Sequence, residues 1–576
     1  MKRLILLLLP LALLACSKTG HTVDGPVDLT VPTNLEIKGV TETSLIFQWK
    51  TVKNATGYNW VLTEKESGEE AGVGSTAKRN VEVKSLRKGT SYLFKVRAEA
   101  GSYHSDYSEP VEAKTSGTPG PDDVAKVCTD APVVITFDSA PVLGTSGIIR
   151  VFKADGTEVD RIDLADMDKV TVLESGIMVP KEQITNASKF HTFMDAIPGG
   201  GGRYRLVHYT PIKINGKKLE IKLHSGVLDF DSEYYVTMDA SVCGKAIGAG
   251  EKKIFTKVAP SSAKQLVVAA DGHGDFCTLQ GALSYADKTG ASIAVSPGTY
   301  EEMLYLRDKS NITITSSSRD KVKILYPNSE LYCNGSGGGV SSKPSAGASV
   351  GSNGGRCLFL AENCDNLLLE RITIENSFYA ADHKGQAECI YFNSGSNAHK
   401  LEVDDCSLIS WQDTFLCKGE VWVHNSLIAG HCDFIWGYPK VCYFENCEIR
   451  SRAAGYIVQA RIKAVTDKGF VFHKCQLTAE EGVAANSVYL ARSGGNSGEY
   501  DNVVYVNCTM SSAIRAVGWL GDPVPNPSTP TATSGWREYG SKDPSGNAIT
   551  GHNSYGKYLT GAEAAPYCTR EDVLGW

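Results

Sequence analysis

The sequence predicts an all-β chain, a parallel β-helix preceded by two β-sandwich domains. Three observations carry this. There are 57 glycines among 576 residues and few long helical patterns, which favours strands and turns. Up to about residue 258, short runs alternate apolar and polar residues between turn residues. Beyond about 264, a motif recurs at irregular steps of 20 to 33 residues, the signature of coils that bury their apolar faces against neighbouring coils. A chain this long exceeds one ordinary core, so several domains are expected. The net charge of −7 is spread widely and gives no reason to expect a nucleic acid partner.

The chain begins MKRLILLLLPLALLACSKTG. Lys2 and Arg3 precede an apolar run, Leu4 to Leu14, that is too short to span a bilayer and suits an export signal. The ending LLAC resembles a bacterial lipoprotein signal, which implies cleavage before Cys16 and lipid on its sulfur; an ordinary secretory signal is the alternative. Residues 1–16 are therefore expected to be a signal with a lipidation cysteine, and 17–30 a polar linker. The expectation is an exported outer-membrane lipoprotein, facing the periplasm or the cell surface, that meets the membrane only through its N-terminal lipid. With Cys16 lipidated, fifteen of the sixteen cysteines remain, so at least one cannot pair internally. No CxxC pair and no metal-ligand spacing occurs, so neither a metal nor a cofactor is expected.

In 31–117, SLIFQWK places Leu45, Phe47 and Trp49 on one face, and SYLFKVRAEA turns Tyr92, Phe94, Val96 and Ala98 inward. Leu86 followed by Tyr92 resembles the tyrosine corner of fibronectin type III domains, and Trp49 fits their core tryptophan. TSGTPGPDD reads as a linker. In 124–258, VVITFDSAP, GIIRVFKADGTEV, KKLEIKLHSG and SEYYVTMDASV read as strands whose order is similar to Ig-like sandwich modules, with no chemistry evident. Both modules read as spacers.

From 264 to 576 the chain changes character. CTLQGALSYADKTG forms one amphipathic helix, with Leu279, Ala282, Leu283 and Ala286 on one face and Thr278 as cap. Thereafter the pattern apolar–x–apolar–x–x–small–x–apolar recurs in ITIENSFY, LEVDDCSL, VWVHNSLI, CYFENCEI, FVFHKCQL and VYVNCTM. Its small residue is Ser377, Cys406, Ser426, Cys447, Cys475 and Cys508, an internal ladder rather than a set of disulfides. YCNGSGGGVSSKPSAGASVGSNGGRC reads as a Gly/Ser insertion.

Two acids stand in apolar surroundings, Asp413 in WQDTFL and Asp433 in GHCDFIWG. Asp413 lies seven residues after Cys406, and Asp433 seven after Ser426. On successive coils they occupy equivalent places about 4.8 Å apart, where one pKa rises while the other stays low. A protonated acid beside a carboxylate is a working acid and nucleophile pair. The competing reading is that both cap turns between coils.

These boxes resemble those of the pectin methylesterases. WQDTFL is similar to their Gly-Tyr-Gln-Asp-Thr-Leu, GHCDFIWG to Gly-Thr-Val-Asp-Phe-Ile-Phe-Gly, KGQAECIYF to the box with Gln-Ala-Val-Ala-Leu, and VYLAR to Tyr-Leu-Gly-Arg-Pro-Trp. SPGTYEE, YIVQAR, VGWL and WREYGSKDPSGN fall in family order too. The resemblance implies a right-handed parallel β-helix that removes methyl esters from galacturonate residues of pectin. It implies Asp433 as nucleophile, Asp413 as general acid and then base, Gln386 and Gln412 as oxyanion donors, and Arg492 as the partner of Asp433. Methyl-esterified homogalacturonan is the implied partner, and a monomer is expected.

The sequence departs from the family at Ser493 and Gly494, which replace Pro-Trp, and at Cys389 and Tyr391 in the first glutamine box. Trp411, Trp436 and Phe415 are the candidate substrate platforms, with packing as the competing role of the tryptophans. Lys418, Lys440, Arg450, Arg452, Arg461 and Lys463 cluster in sequence near the two acids, either as a field for an acidic polymer or as ordinary surface. Two rival functions stay open. Asp404, Asp405, Gly430, His431 and the RIK at 461–463 resemble fragments of the polygalacturonase signature, without its Asn-Thr-Asp box. The other rival is a non-catalytic surface polysaccharide-binding protein.

Overall fold

The computed structural model describes residues 29–576, apart from 66–67, 69, 102, 118–125, 167–169, 173–177, 181–192, 200–201, 331–336, 340–354 and 379–384. The expected signal, Cys16, most of the polar linker after it and most of the Gly/Ser insertion lie outside these residues. The chain forms two compact units, 1–125 and 126–576.

The first unit is a sandwich of antiparallel sheets. Glu36–Val40, Leu45–Gln48 and Asn80–Val83 form one; Glu70–Thr76, Gly57–Glu64 and Ser91–Ala100 lead the other. Strict alternation in Ser91–Ala100 buries Tyr92, Phe94, Val96 and Ala98. Trp49 lies edge-on to Tyr58 at 5.3 Å, and the Tyr92 hydroxyl accepts a hydrogen bond from Arg87 N at 2.9 Å. That bond closes the corner between Leu86 and the strand Ser91–Ala100.

In the second unit, residues 126–256 form sheets that are antiparallel except where Lys126–Val127 pairs in parallel with Ile247–Thr256, around a core that includes Ile149, Val151, Leu219, Tyr234 and Val236. Sequence pattern separates this module from the coils beyond residue 264, yet the two share one compact unit. The reason is a hairpin, Phe193–Pro198 with Tyr204–Tyr209. Its Ile197 and Val207 pack with Tyr305, Leu360, Tyr391, Leu416 and Trp436 on the outside of the coils.

The rest is a parallel β-helix, 22 strands whose neighbours pair in parallel from Gln265–Val268 to Gly556–Tyr558. The helix Leu279–Tyr285 covers its first coils; Thr278 Oγ1 accepts from Gly281 N at 2.9 Å, and Leu279, Ala282 and Leu283 join the interior. Aromatic rings stack along the axis, Phe444 on Phe472 at 4.7 Å and Phe472 on Tyr505 at 4.6 Å.

The small-residue ladder runs through Cys406, Ser426, Cys447, Cys475 and Cys508. Leu427 N donates to Cys406 O, Glu448 N to Ser426 O, Gln476 N to Cys447 O and Thr509 N to Cys475 O, at 2.8 to 2.9 Å. Every cysteine among the described residues is a free thiol. Ser377 is not the first rung. Thr373 pairs with Ser407, so Ile372 stands next to Cys406, and ITIENSFY is the strand after the corner. The preceding segment LLLERITI carries the same pattern one element earlier, with isoleucine in the small position.

The residue before each rung is left-handed: Arg371, Asp405, Asn425, Asn446, Lys474 and Asn507 have φ between 48° and 56°. These corners favour asparagine, whose left-handed conformation costs less than that of most side chains. Asn446→Ala is therefore expected to lower unfolding stability by about 1 kcal/mol, with Asn446→Gly near neutral, measured by denaturant titration.

Candidate active site

Two coil crossings build the site. Gln386 bridges to Gln412 and Gln412 to Cys432 in parallel register, and Asp413 N donates to Cys432 O at 3.0 Å. Asp413 and Asp433 thus fall at the same place on successive coils. Their backbones match as well, with φ of 65° and 47° in the left-handed region. Both carboxyls are nearly enclosed, at 2% and 4% exposure.

Their surroundings differ. Arg492 Nε donates to Asp433 Oδ1 at 2.8 Å and Oδ2 at 3.0 Å, its Nη2 also reaches Oδ2, and Gln459 Nε2 donates to Oδ2 at 2.9 Å. All of these partners donate, as a carboxylate requires. The contact raises the Arg492 pKa further. Asp413 Oδ2 accepts from Gln386 Nε2 at 2.9 Å and Arg356 Nη2 at 3.1 Å. Burial pushes the Asp413 pKa well above the usual carboxylate range, the Glu388 charge adds to this, Arg356 opposes it, and Asp433 raises it again. The structure thereby brings together Asp413, Asp433, Gln386, Gln412 and Arg492. The Gln412 side chain makes no hydrogen bond to another described residue and is half-exposed.

Three groups here carry little signal in the sequence. Arg356, at the end of the Gly/Ser insertion, spans Asp413, Gln386 and Glu388. Glu388 is fully enclosed and accepts from Arg356 Nε at 2.8 and 3.1 Å; it stands at the valine of the family's glutamine box. Burial raises its pKa while Arg356 pulls it back. Gln459 is held by Arg461, whose Nε donates to Gln459 Oε1 at 2.8 Å. YIVQAR contains Gln459, so an amide in an apolar run was the available signal.

The platform residues need correction. Phe415 is 0% exposed, inside the coils against Phe444 at 6.0 Å. It pairs with Ile390 and Ile435, the inward members of their strands, while Leu416 and Trp436 face outward. Trp436 is buried, with Arg461 at 4.9 Å and Arg356 at 5.6 Å from its ring centroid, and so packs rather than offering a bare face. Trp411 keeps partial exposure, with Arg452 at 4.1 Å. Of the basic residues, Lys440, Arg450, Arg452 and Lys463 pair with Glu420, Glu448, Glu480 and Glu499. Lys418 and Arg461 flank Tyr438 beside the site. Asp404 bonds Asn425 and Asp405 pairs with Arg319, apart from the two acids.

Among the described residues, Cys128, Asp130 and Cys277 have metal-ligand proximity, with ligand atoms within 4.8 Å of one another. The Asp130 oxygens already accept from Cys277 N, Thr278 N and Thr278 Oγ1, so this carboxylate serves the start of the helix.

Family comparison matches residues 30–114 to the Fibronectin type III domain and 265–569 to Pectinesterase. The chain is 27% identical to Pectinesterase 31 of Arabidopsis thaliana over 267 residues, 45% of this chain and 77% of that one. It is 27% identical to a probable pectinesterase A of Aspergillus niger over 291 residues, 49% of this chain and 80% of that one. Among solved structures, the pectin methylesterase PemA from Erwinia chrysanthemi is similar at 22% identity and a TM-score of 0.43, over 55% of this chain and 98% of that one. The match to the pectinesterase model runs through more than half of the residues, and the chain belongs to the pectinesterase family.

Proposed function

We propose that the chain hydrolyses methyl esters of galacturonate residues in pectin, releasing methanol, with Asp433 as nucleophile and Asp413 as general acid and base. One observation carries the reading: two equivalent carboxyls on adjacent coils lie in opposite environments, one wrapped in donors and the other with a raised pKa.

In this mechanism an Asp433 oxygen attacks the ester carbonyl carbon. The negative charge moves to the carbonyl oxygen, where the amides of Gln386 and Gln412 donate to it. As the tetrahedral intermediate collapses, the bond to methoxide breaks and Asp413 gives that oxygen its proton. An acyl anhydride on Asp433 remains. Asp413, now a carboxylate, takes a proton from water, and the hydroxide attacks the anhydride. The galacturonate acid leaves and both aspartates return to their starting states. Neither serine nor histidine is needed, because an anhydride is labile. Neutral amides suit the oxyanion position, since they stabilise it without quenching the neighbouring nucleophile. Trp411, half-exposed beside the site, is the remaining candidate for sugar stacking.

We also propose export with a lipid on Cys16 and action as a monomer on the polymer. The basic N-terminus, short apolar run and LLAC ending support the first point. No helix among the described residues is long and apolar enough to cross a membrane. Cys16→Ser is expected to move the expressed protein from the detergent phase to the aqueous phase in a Triton X-114 partition.

Highly methylated pectin is expected to yield methanol without new reducing ends; reducing ends would signal glycoside hydrolysis, and binding without either product a receptor. Asp433→Ala is expected to abolish methanol release, and Asp413→Asn to lower kcat by about 10²- to 10⁴-fold, with folding retained by circular dichroism. The proton on Asp413 is needed for methanol departure, and its pKa lies above the usual carboxylate range. Hence kcat/KM is expected to fall on the alkaline side as Asp413 ionises, a limb that Asp413→Asn removes from the residual activity.

A further inference from the structure

Arg356 grips the site with all three of its nitrogens: Nη2 on Asp413 Oδ2 at 3.1 Å, Nη1 on Gln386 Oε1 at 2.5 Å, and Nε on Glu388 at 2.8 Å. Its aim depends on its backbone, which lies outside any regular strand, just before Phe359–Glu362. The carbonyls on either side of it are held from another module. Arg205, on the hairpin strand Tyr204–Tyr209, is 0% exposed. Its Nη2 donates to Cys357 O at 2.5 Å and Gly355 O at 3.4 Å, and its Nη1 to Leu358 O at 2.9 Å and Leu304 O at 2.5 Å. Asn328 Nδ2 donates to the same Gly355 and Cys357 carbonyls at 3.0 and 2.8 Å. Asn328 Oδ1 in turn meets His208 Nε2, on the same hairpin strand, at 3.2 Å. A buried guanidinium bonded to four carbonyls fixes this backbone by adding a second donor at Gly355 O, Cys357 O and Leu358 O, beside Asn328 Nδ2 and Leu304 N.

We infer that the hairpin of the second module belongs to the catalytic apparatus: Arg205 is a positioning residue that, through the backbone of 355–358, aims the Arg356 guanidinium at Asp413 and Gln386. The inference rests on the esterase reading, in which Asp413 is the acid and base. Arg356 and Glu388 form a buried ion pair at 2.8 Å. The charged groups facing Asp413 are Arg356, Glu388, Asp433 and Glu330. If Arg356 swings away, three carboxyls remain around Asp413. Its proton is then held more firmly, and Gln386 loses the contact that orients its amide.

The test is steady-state methanol release from highly methylated pectin across pH, using the full chain, with Arg205→Met, Arg356→Gln and the double variant. Arg205→Met is expected to lower kcat about tenfold with KM within about twofold. It should move the alkaline limb of kcat/KM to higher pH, as Arg356→Gln does. The double variant is expected to be no slower than Arg356→Gln alone, because one residue acts through the other. Arg537 is the control: it is equally enclosed and donates to Gly535 O at 3.1 Å and to the Tyr567 hydroxyl at 2.6 Å. Arg537→Met should lower the melting temperature and leave the limb in place. If Arg205→Met does not fold, Arg205→Lys replaces it, keeping the charge and up to three donors; a smaller kcat loss and a smaller limb shift are expected. Additive losses in the double variant, or an Arg205 variant that loses thermal stability with a wild-type pH profile, would overturn the inference alone. A wild-type protein that releases no methanol would overturn the esterase reading and the inference with it.

Discussion

In six coils the residue before the ladder position turns left-handed, and its amide donates to a carbonyl one coil on: Asp405 N to His424 O, Asn425 N to Glu445 O, Asn446 N to His473 O. The amide after the ladder position donates to the coil before. The corner is thereby locked on both sides, and any residue at a fixed offset from it repeats along the axis. This register makes a chemical site out of two aspartates that sequence separates by twenty residues. Coils of equal length between Cys406 and Ser426, and between Asp413 and Asp433, keep the acids abreast. An insertion of one residue in either coil would put one acid out of step with the other.

Proximity alone would make the two carboxyls alike. Their difference comes from what neighbouring coils contribute. The coils after Asp433 bring Gln459 and Arg492, which approach it from one side as donors. The coils before Asp413 bring Glu388 and Gln386, with Arg356 between them. The acid and the nucleophile are therefore assigned by position along the axis: the earlier member of the pair lies among other carboxyls, the later among donors.

The acids were legible because their offset from the small-residue ladder is a local count. Gln386 and Gln412 were legible from the boxes that hold them. Arg356 was not, since it stands 57 residues from Asp413 and borders an insertion whose composition suggests only a loop. Arg205 was less legible still, as its partners lie about 100 to 150 residues away in another module. Phe415 shows a different limit. Parity along the strand decides which face it takes, and the corner at Asp413 resets that parity. Ser377 failed for a related reason. An apolar pattern with one small residue recurs often enough to fit two neighbouring elements, and only the backbone pairing of Thr373 with Ser407 chooses between them.

The proposed cycle explains why an enclosed pocket tolerates so many charged groups. The two aspartates and the reacting carbonyl together hold one negative charge throughout; it moves but never doubles. It begins on Asp433, against Arg492 and Gln459. It passes to the carbonyl oxygen, within reach of the amides of Gln386 and Gln412. When methanol leaves with the proton of Asp413, the charge rests on Asp413, against Arg356. Each resting place has its own donors already in position, so little reorganisation is needed as the charge shifts, which is where preorganised polar sites gain most over water. A guanidinium at Asp413, besides the one at Asp433, is thus a requirement of the later half of the cycle. With Glu388 buried beside it, an Asp413 carboxylate lacking Arg356 would face another carboxyl across a medium that screens poorly. Fixing Arg356 from outside the coils answers that requirement, since Arg356 precedes its strand and has no ladder of its own to hold it.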